Sequence, residues 1–169
     1  MFSSTPLEQN MLKEVSGDIL LSKVQAIAHG IAPDDHFNQG LALSLRERYP
    51  ALAKDFRHYC QLSHPKPGEI WTWAGADGIR IVNLLTQEAP VSRQSHPGKA
   101  STHNVNVALR NLRKLIEDEG FESVALPRLA TGVGGLDWEE VRPLIENHLD
   151  TLDIPVYLYV TFIEGQAAG

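Results

Sequence analysis

Between Leu126 and Trp138 the chain reads Leu-Pro-Arg-Leu-Ala-Thr-Gly-Val-Gly-Gly-Leu-Asp-Trp, with three glycines in four residues ahead of a helix-like pattern. Gly132, Gly134 and Gly135 remove Cβ atoms where backbone N–H groups can turn toward an anion, and a helix that follows adds its positive end. The chemistry is that of a phosphate cradle; a tight connection without a ligand is the other reading of the same residues. A second loop, Gly-Ile-Ala-Pro-Asp-Asp-His-Phe-Asn-Gln-Gly-Leu from Gly30 to Leu41, sets Gly40 at another helix start beside Asn38 and Gln39. Their amides suit a ribose hydroxyl or a second phosphate, while Asn38 as an ordinary helix cap is the alternative. Neither loop is a Walker sequence or a G-x-G-x-x-G fingerprint, which disfavours an NTPase or an NAD-dependent dehydrogenase.

His29 lies in a run of strand length, and an imidazole of near-neutral pKa can serve as a general acid or base; a packed histidine is the bland reading. Lys99 is either a mobile cation over a cleft or a solvated surface lysine. His58, Cys60 and His64 lie close together, but no H-E-x-x-H or C-x-x-C spacing occurs and i, i+2 positions do not share a helix face, so neither a metal nor a cofactor is expected. Cys60 is the only cysteine, which excludes an intramolecular disulfide and fits a reducing cytoplasm.

The elements that must hold these residues follow from pattern. Apolar or β-branched runs at 12–15, 25–32, 69–74, 79–86, 123–126 and 155–162 have strand length and are bounded by Gly, Pro or Asp. Val105, Ala108, Leu109, Leu112, Leu115 and Ile116 make one helical stripe, and Trp138, Val141, Leu144, Ile145, Leu149 and Leu152 a second. Asp137 with Glu140 three positions later marks the start of that second helix. Leu41, Leu45 and Tyr49 suggest a further helix, and Leu52, Phe56, Tyr59 and Cys60 another beginning near Pro50. Trp71 and Trp73 share one strand face and are read as packing. Strands alternating with helices predict an α/β fold, a sheet covered on both faces, with ligands beyond the carboxyl ends of its strands.

A chain of 169 residues, 43% hydrophobic and 21% charged, supports one domain with a sizeable core rather than a disordered segment. The net charge of −6 disfavours a broad nucleic-acid-binding face, because phosphate neutralisation needs clustered basic residues. No apolar run approaches the roughly 18 residues of a membrane span, and a soluble cytoplasmic protein of unspecified oligomeric state is expected. Residues 1–10 and 164–169 are small and polar and read as loosely held ends around a single domain at 11–163.

Four segments in this order resemble the macrodomain family: Val15-Ser-Gly-Asp-Ile19, Ala26-Ile-Ala-His-Gly30, Gln39-Gly-Leu-Ala42 and Pro127-Arg-Leu-Ala-Thr-Gly-Val-Gly-Gly-Leu-Asp-Trp138. The resemblance runs from about Leu12 to Phe162 and is similar to the branch with terminal ADP-ribose glycohydrolases, macrodomain antitoxins acting on DNA-linked ADP-ribose, and ADP-ribose 1''-phosphate phosphatases. It implies a three-layer α/β/α sandwich with a mixed sheet of about six strands. It implies binding of ADP-ribose or a terminal ADP-ribosyl group, with hydrolysis of ADP-ribosyl or ADP-ribose 1''-phosphate bonds as the catalytic option. By resemblance, Asp18 accepts from the adenine amino group with Ile19 beside it. Asn38, Gln39 and Gly40 lie near the distal ribose, and Thr131, Gly132, Val133, Gly134, Gly135 and Leu136 surround the diphosphate. Phe162, or Tyr159, supplies a stacking ring. Thr86, the last residue of the fourth strand, and Gln87, directly after it, join the ligand-binding set; Gln87 stands where glycohydrolases of this branch carry a lysine, while their acidic partner aligns with Gly134. An amide is no nucleophile, so the lysine mechanism has neither of its groups. The phosphatase-like members share His29, which makes it the catalytic candidate; a non-catalytic nucleotide- or partner-binding module is the alternative.

Overall fold

The computed structural model describes residues 11–92 and 94–168. The expected loose segment 1–10 lies outside the described residues. Six strands, β1 (Leu12–Gly17), β2 (Ala26–Ile31), β3 (Ile70–Ala74), β4 (Arg80–Leu85), β5 (Val124–Pro127) and β6 (Val156–Phe162), form one sheet in the order β1-β6-β5-β2-β4-β3. All neighbours are parallel except β3, which runs antiparallel to β4 at the edge. Each strand lies within two residues of the apolar run that marks it, because Gly, Pro and Asp punctuate those runs where extended structure must stop.

Four helices cover the sheet: α1 (Gly40–Arg48), α2 (Pro50–Ser63), α3 (Thr102–Glu119) and α4 (Trp138–Leu149). Alternation along the strands sends their side chains into two separate cores. Ala26, Ala28, Val82, Leu84, Val124 and Leu126 point to α3 and α4, where Leu109, Leu112, Val141 and Ile145 meet them. Ile27, Ile31, Ile81, Leu85 and Ala125 point the other way, to Leu45, Leu52 and Phe56 of α1 and α2. The result is the expected three-layer sandwich. Trp71 stacks on Tyr59 at 5.2 Å and Trp73 donates from its indole N–H to Asp55 at 2.8 Å, so both tryptophans pack α2 against the edge strand.

The helix starts are specified locally. Ser101 accepts from the Asn104 N–H at 3.0 Å at the head of α3, and Glu140 accepts from the Asp137 N–H at 3.4 Å at the head of α4. At its other end α4 stops at Leu149, three residues before the last position of its apolar stripe, and Leu152 reaches the core from a turn. No helix among the described residues is long and apolar enough to cross a membrane.

Candidate functional site

At the carboxyl ends of β2, β4 and β5 lies a cavity of about 300 Å³. The loop after β2 contributes Asp35, Gln39 and Gly40, β4 leads to Gln87, and the loop after β5 contributes Arg128, Gly132, Val133 and Gly134, with His29 and Gly30 at the base. This is the crevice where an α/β sheet is expected to take its ligand. Both glycine loops therefore converge, although some ninety residues separate them in sequence.

The amides explain what the cavity can hold. In the loop after β5, Gly135 N donates to Gly132 O at 3.0 Å and Leu136 N to Ala130 O at 3.0 Å, which folds the loop on itself. Among the described residues, the N–H groups of Gly132, Val133 and Gly134 have no acceptor. Across the cavity, Gln39 occupies the N-cap position of α1 without making a side-chain cap, and the N–H groups of Gly40, Leu41 and Ala42 are likewise unclaimed. The amides of Gly40, Leu41 and Ala42 carry the positive end of the α1 dipole, those of Gly132, Val133 and Gly134 belong to a loop ahead of α4, and two such sets among the residues lining one cavity suit a ligand with two linked anionic groups.

His29 is 2% exposed and its Nε2 lies 2.7 Å from Asn83 Oδ1, its neighbour across the β2–β4 ladder. Asn83 Nδ2 donates to the carbonyls of Trp71 and Ile81, at 3.0 and 3.3 Å, which fixes the amide's orientation. Oδ1 is then the acceptor, and His29 must carry its proton on Nε2. Burial lowers the His29 pKa from 6.5, against the raising effects of the Asn83 bond and the Asp35 charge. The imidazole is therefore neutral, and only Nδ1 remains to take a proton.

That shift has a sign that can be measured. The unfolded chain binds a proton at His29 near pH 6.5 and the folded chain does so only at lower pH. Its contribution is thus fully present above 6.5 and lost as pH falls from 6.5 toward the folded value. Chemical denaturation between pH 7.5 and 5 is expected to show stability falling by up to about 1.4 kcal/mol per pH unit from this group. His29→Gln should remove that part of the slope. The part from His148, whose pKa is also lowered, first by burial and then by Arg110 and Arg113, should stay. A slope unchanged in His29→Gln would refute the assignment.

The remaining candidates divide by place. Gln87, 6% exposed, lines the cavity and donates from Nε2 to Gly98 O at 3.1 Å, so it is part of the wall. Asn38, Thr131, Gly135 and Leu136 lie in the two loops but do not line the cavity. Thr86 is fully buried, its hydroxyl without a partner among the described residues and close enough that a Cβ on Gly30 would lie 2.8 Å from it. Lys99 does not line the cavity; its carbonyl accepts from Glu88 N at 3.0 Å, and Pro97 of the same loop reaches the site instead. Asp18, Ile19 and Phe162 lie beyond the cavity at the β1–β6 edge, with Phe162 62% exposed, whereas Tyr159 is buried in the core.

Sequence reasoning missed Asp35, Asn83 and Arg128. Asp35 and Arg128 line the cavity, and the Arg128 guanidinium lies 5.2 Å from the centre of the Trp138 ring, held over it by cation–π attraction. The arginine directly follows β5 at the head of a strand-to-helix glycine loop, which was the signal available.

The family model "Macro domain" matches residues 37–145, which include the end of the first glycine loop, α1, α2, α3, the whole of the second glycine loop and most of α4. The chain belongs to the macrodomain family. A DNA ADP-ribosyl transferase–DNA ADP-ribosyl glycohydrolase fusion protein of Thermosipho africanus is 28% identical over 167 residues, covering 91% of this chain and 42% of that protein. Human ADP-ribose glycohydrolase OARD1 is 25% identical over 153 residues, covering 90% of this macrodomain and 93% of the human protein. Among solved structures, the macrodomain of Thermus aquaticus DarG superposes with a TM-score of 0.77 at 25% identity, covering 90% and 99% of the two chains. This macrodomain spans about two fifths of the length of the first curated relatives it matches.

Proposed function

We propose that this macrodomain binds ADP-ribose, free or as the terminal group of a modified carrier. One observation carries the reading: two sets of backbone amides unclaimed among the described residues, at Gly132, Val133 and Gly134 and at Gly40, Leu41 and Ala42, belong to residues that line one cavity. In this reading the loop after β5 holds the diphosphate, Gln39 and Gly40 approach the distal ribose, and Asp18 with Ile19 reads the adenine. Relatives named as DNA ADP-ribosyl and ADP-ribose glycohydrolases support it. Neutral amides rather than lysines do the work, so a chain of net charge −6 can still hold an anion. The location that fits this ligand is the cytoplasm.

Isothermal calorimetry with ADP-ribose is expected to give saturable heat with a Kd of about 1 μM or tighter, roughly −8 kcal/mol. AMP and NAD should compete more weakly, since neither presents both the diphosphate and a free distal ribose. No heat at millimolar ADP-ribose, or tighter binding of AMP, would reject the reading.

Hydrolysis is a second reading, favoured by the position of His29 at the base of the cavity with Nδ1 unpaired among the described residues. A neutral imidazole acts there as a base, not an acid. Release of ADP-ribose or phosphate that is equal in wild type and His29→Ala would exclude that role.

A further inference from the structure

The groups of Asp18 assigned to the base, beyond the cavity, are engaged by the protein's own chain. After β6 the backbone turns at residues 163–166: Gln166 N donates to Ile163 O at 3.2 Å, and Gly165 takes a left-handed φ of 73°. The returning segment then pairs with the end of β1. Ile163 N donates to Gly17 O at 3.0 Å, Asp18 N donates to Gln166 O at 2.7 Å, and Gly165 N donates to Asp18 Oδ2 at 3.0 Å. Asp18 Oδ1 accepts from Leu20 N at 3.0 Å. Both carboxylate oxygens are thus engaged, and the residue is only 7% exposed.

Gly17 permits this approach. A Cβ there would lie 2.8 Å from Gln166 O and 3.0 Å from Ala168 N. The segment expected as a loose tail is therefore tied down, although residues 161–168 are themselves exposed. It is held by backbone hydrogen bonds with little apolar burial, the kind of attachment that opens at low cost.

The bonding pattern is that of a ligand. Asp18 offers an acceptor in its side chain beside a donor in its own N–H, and the returning chain supplies the complement, Gly165 N–H and Gln166 C=O. An adenine edge supplies the same pair, an amino donor next to a ring-nitrogen acceptor.

We propose that residues 163–168 form a strap that occupies the base-reading groups of Asp18 in the unliganded protein and leaves them when an adenine nucleotide binds. This rests on the ADP-ribose reading above. The strap lowers affinity by the cost of detaching it, and it raises selectivity, because only a base that replaces both hydrogen bonds repays that cost.

Gly165→Pro tests it, since proline removes the N–H and cannot adopt φ 73°. A chain ending at Ile163 is the second variant, and denaturation curves check that both fold. ADP-ribose is expected to bind each about tenfold more tightly than the full chain, the equivalent of one to two net hydrogen bonds. In the full chain, hydrogen exchange at the Gly165 amide should speed up on adding ADP-ribose. Asp18→Ala should weaken binding more in the Gly165→Pro background than alone, because in the full chain the same change also releases the strap. Equal affinity of all three chains, with Gly165 still protected in the complex, overturns the strap and leaves ADP-ribose binding standing. Failure of ADP-ribose to bind any of them overturns both.

Discussion

Gly134→Val is expected to reduce ADP-ribose affinity at least about a hundredfold and to cost about 1–3 kcal/mol of stability. A Cβ at Gly134 would lie 2.7 Å from Ala130 O, 3.0 Å from Ala130 Cα and 3.0 Å from Ala100 Cβ. None of these is the far end of a flexible side chain. Ala130 O already accepts from Leu136 N at 3.0 Å, and Gly134 O accepts from Ala100 N at 3.0 Å, so the neighbours are pinned. Relief therefore requires the loop to open, with an overpacking cost of about 1–3 kcal/mol. Opening also turns away the free amides of Gly132, Val133 and Gly134. Hydrogen bonds to a charged group are worth about 1.5–3 kcal/mol each, and two of them account for a hundredfold loss. Gly132→Ala is the control, because nothing lies within 4 Å of a Cβ there and its φ needs no glycine. It should unfold within about 0.5 kcal/mol of wild type. Calorimetry and urea denaturation of the two variants decide the matter; wild-type binding by Gly134→Val would mean that the loop after β5 is not the anion cradle.

The contrast between these two glycines marks how far a sequence can be read. Three glycines in four residues announce a loop where backbone approaches something closely, but not which glycine is constrained. Gly134 is pinned by Ala100, which lies 34 positions away by numbering and enters only through the tertiary fold. The strands were legible for a simpler reason: each apolar run ends at residues that cannot continue it. Asn83 was hidden because it alternates with Ile81 and Leu85 in a strand whose pattern is otherwise apolar, and its value comes from His29 on the next strand. The strap was hidden more deeply. Glu-Gly-Gln-Ala-Ala-Gly has the composition of a loose end, and its partner Asp18 stands 147 positions from Gly165. Local composition reports how a segment behaves alone; it does not report an unpaired donor and acceptor waiting elsewhere on the sheet.

Asp35→Ala is the second large effect, about 2–4 kcal/mol of stability together with about a tenfold or greater loss of ADP-ribose affinity. The loop after β2 holds two non-glycine residues in the left-handed region, Asp34 at φ 59° and Phe37 at φ 55°. Such residues cost about 1–3 kcal/mol each and persist only where the surroundings over-determine them. Two things do so here. Phe37 is fully buried, its ring edge-on to His29 at 5.9 Å and to Phe56 at 5.5 Å. Asp35 clamps the backbone on either side, accepting from Ala32 N at 3.1 Å and from Phe37 N at 2.9 Å. Alanine deletes both charge-assisted bonds, nominally about 1.5–3 kcal/mol each, and solvent at this partly exposed loop recovers part of that. The strain at Asp34 and Phe37 is then no longer balanced. The loop leads directly into Gln39, Gly40, Leu41 and Ala42, which line the cavity, so slack in the clamp becomes slack in the ligand site. The Asp35 charge also raises the His29 pKa, so its removal should lower that pKa further and keep the imidazole neutral to lower pH. Asp35→Asn retains one acceptor and should recover about half the stability lost. A loss below about 0.5 kcal/mol in Asp35→Ala, measured by urea denaturation, would show that Phe37 alone fixes the loop.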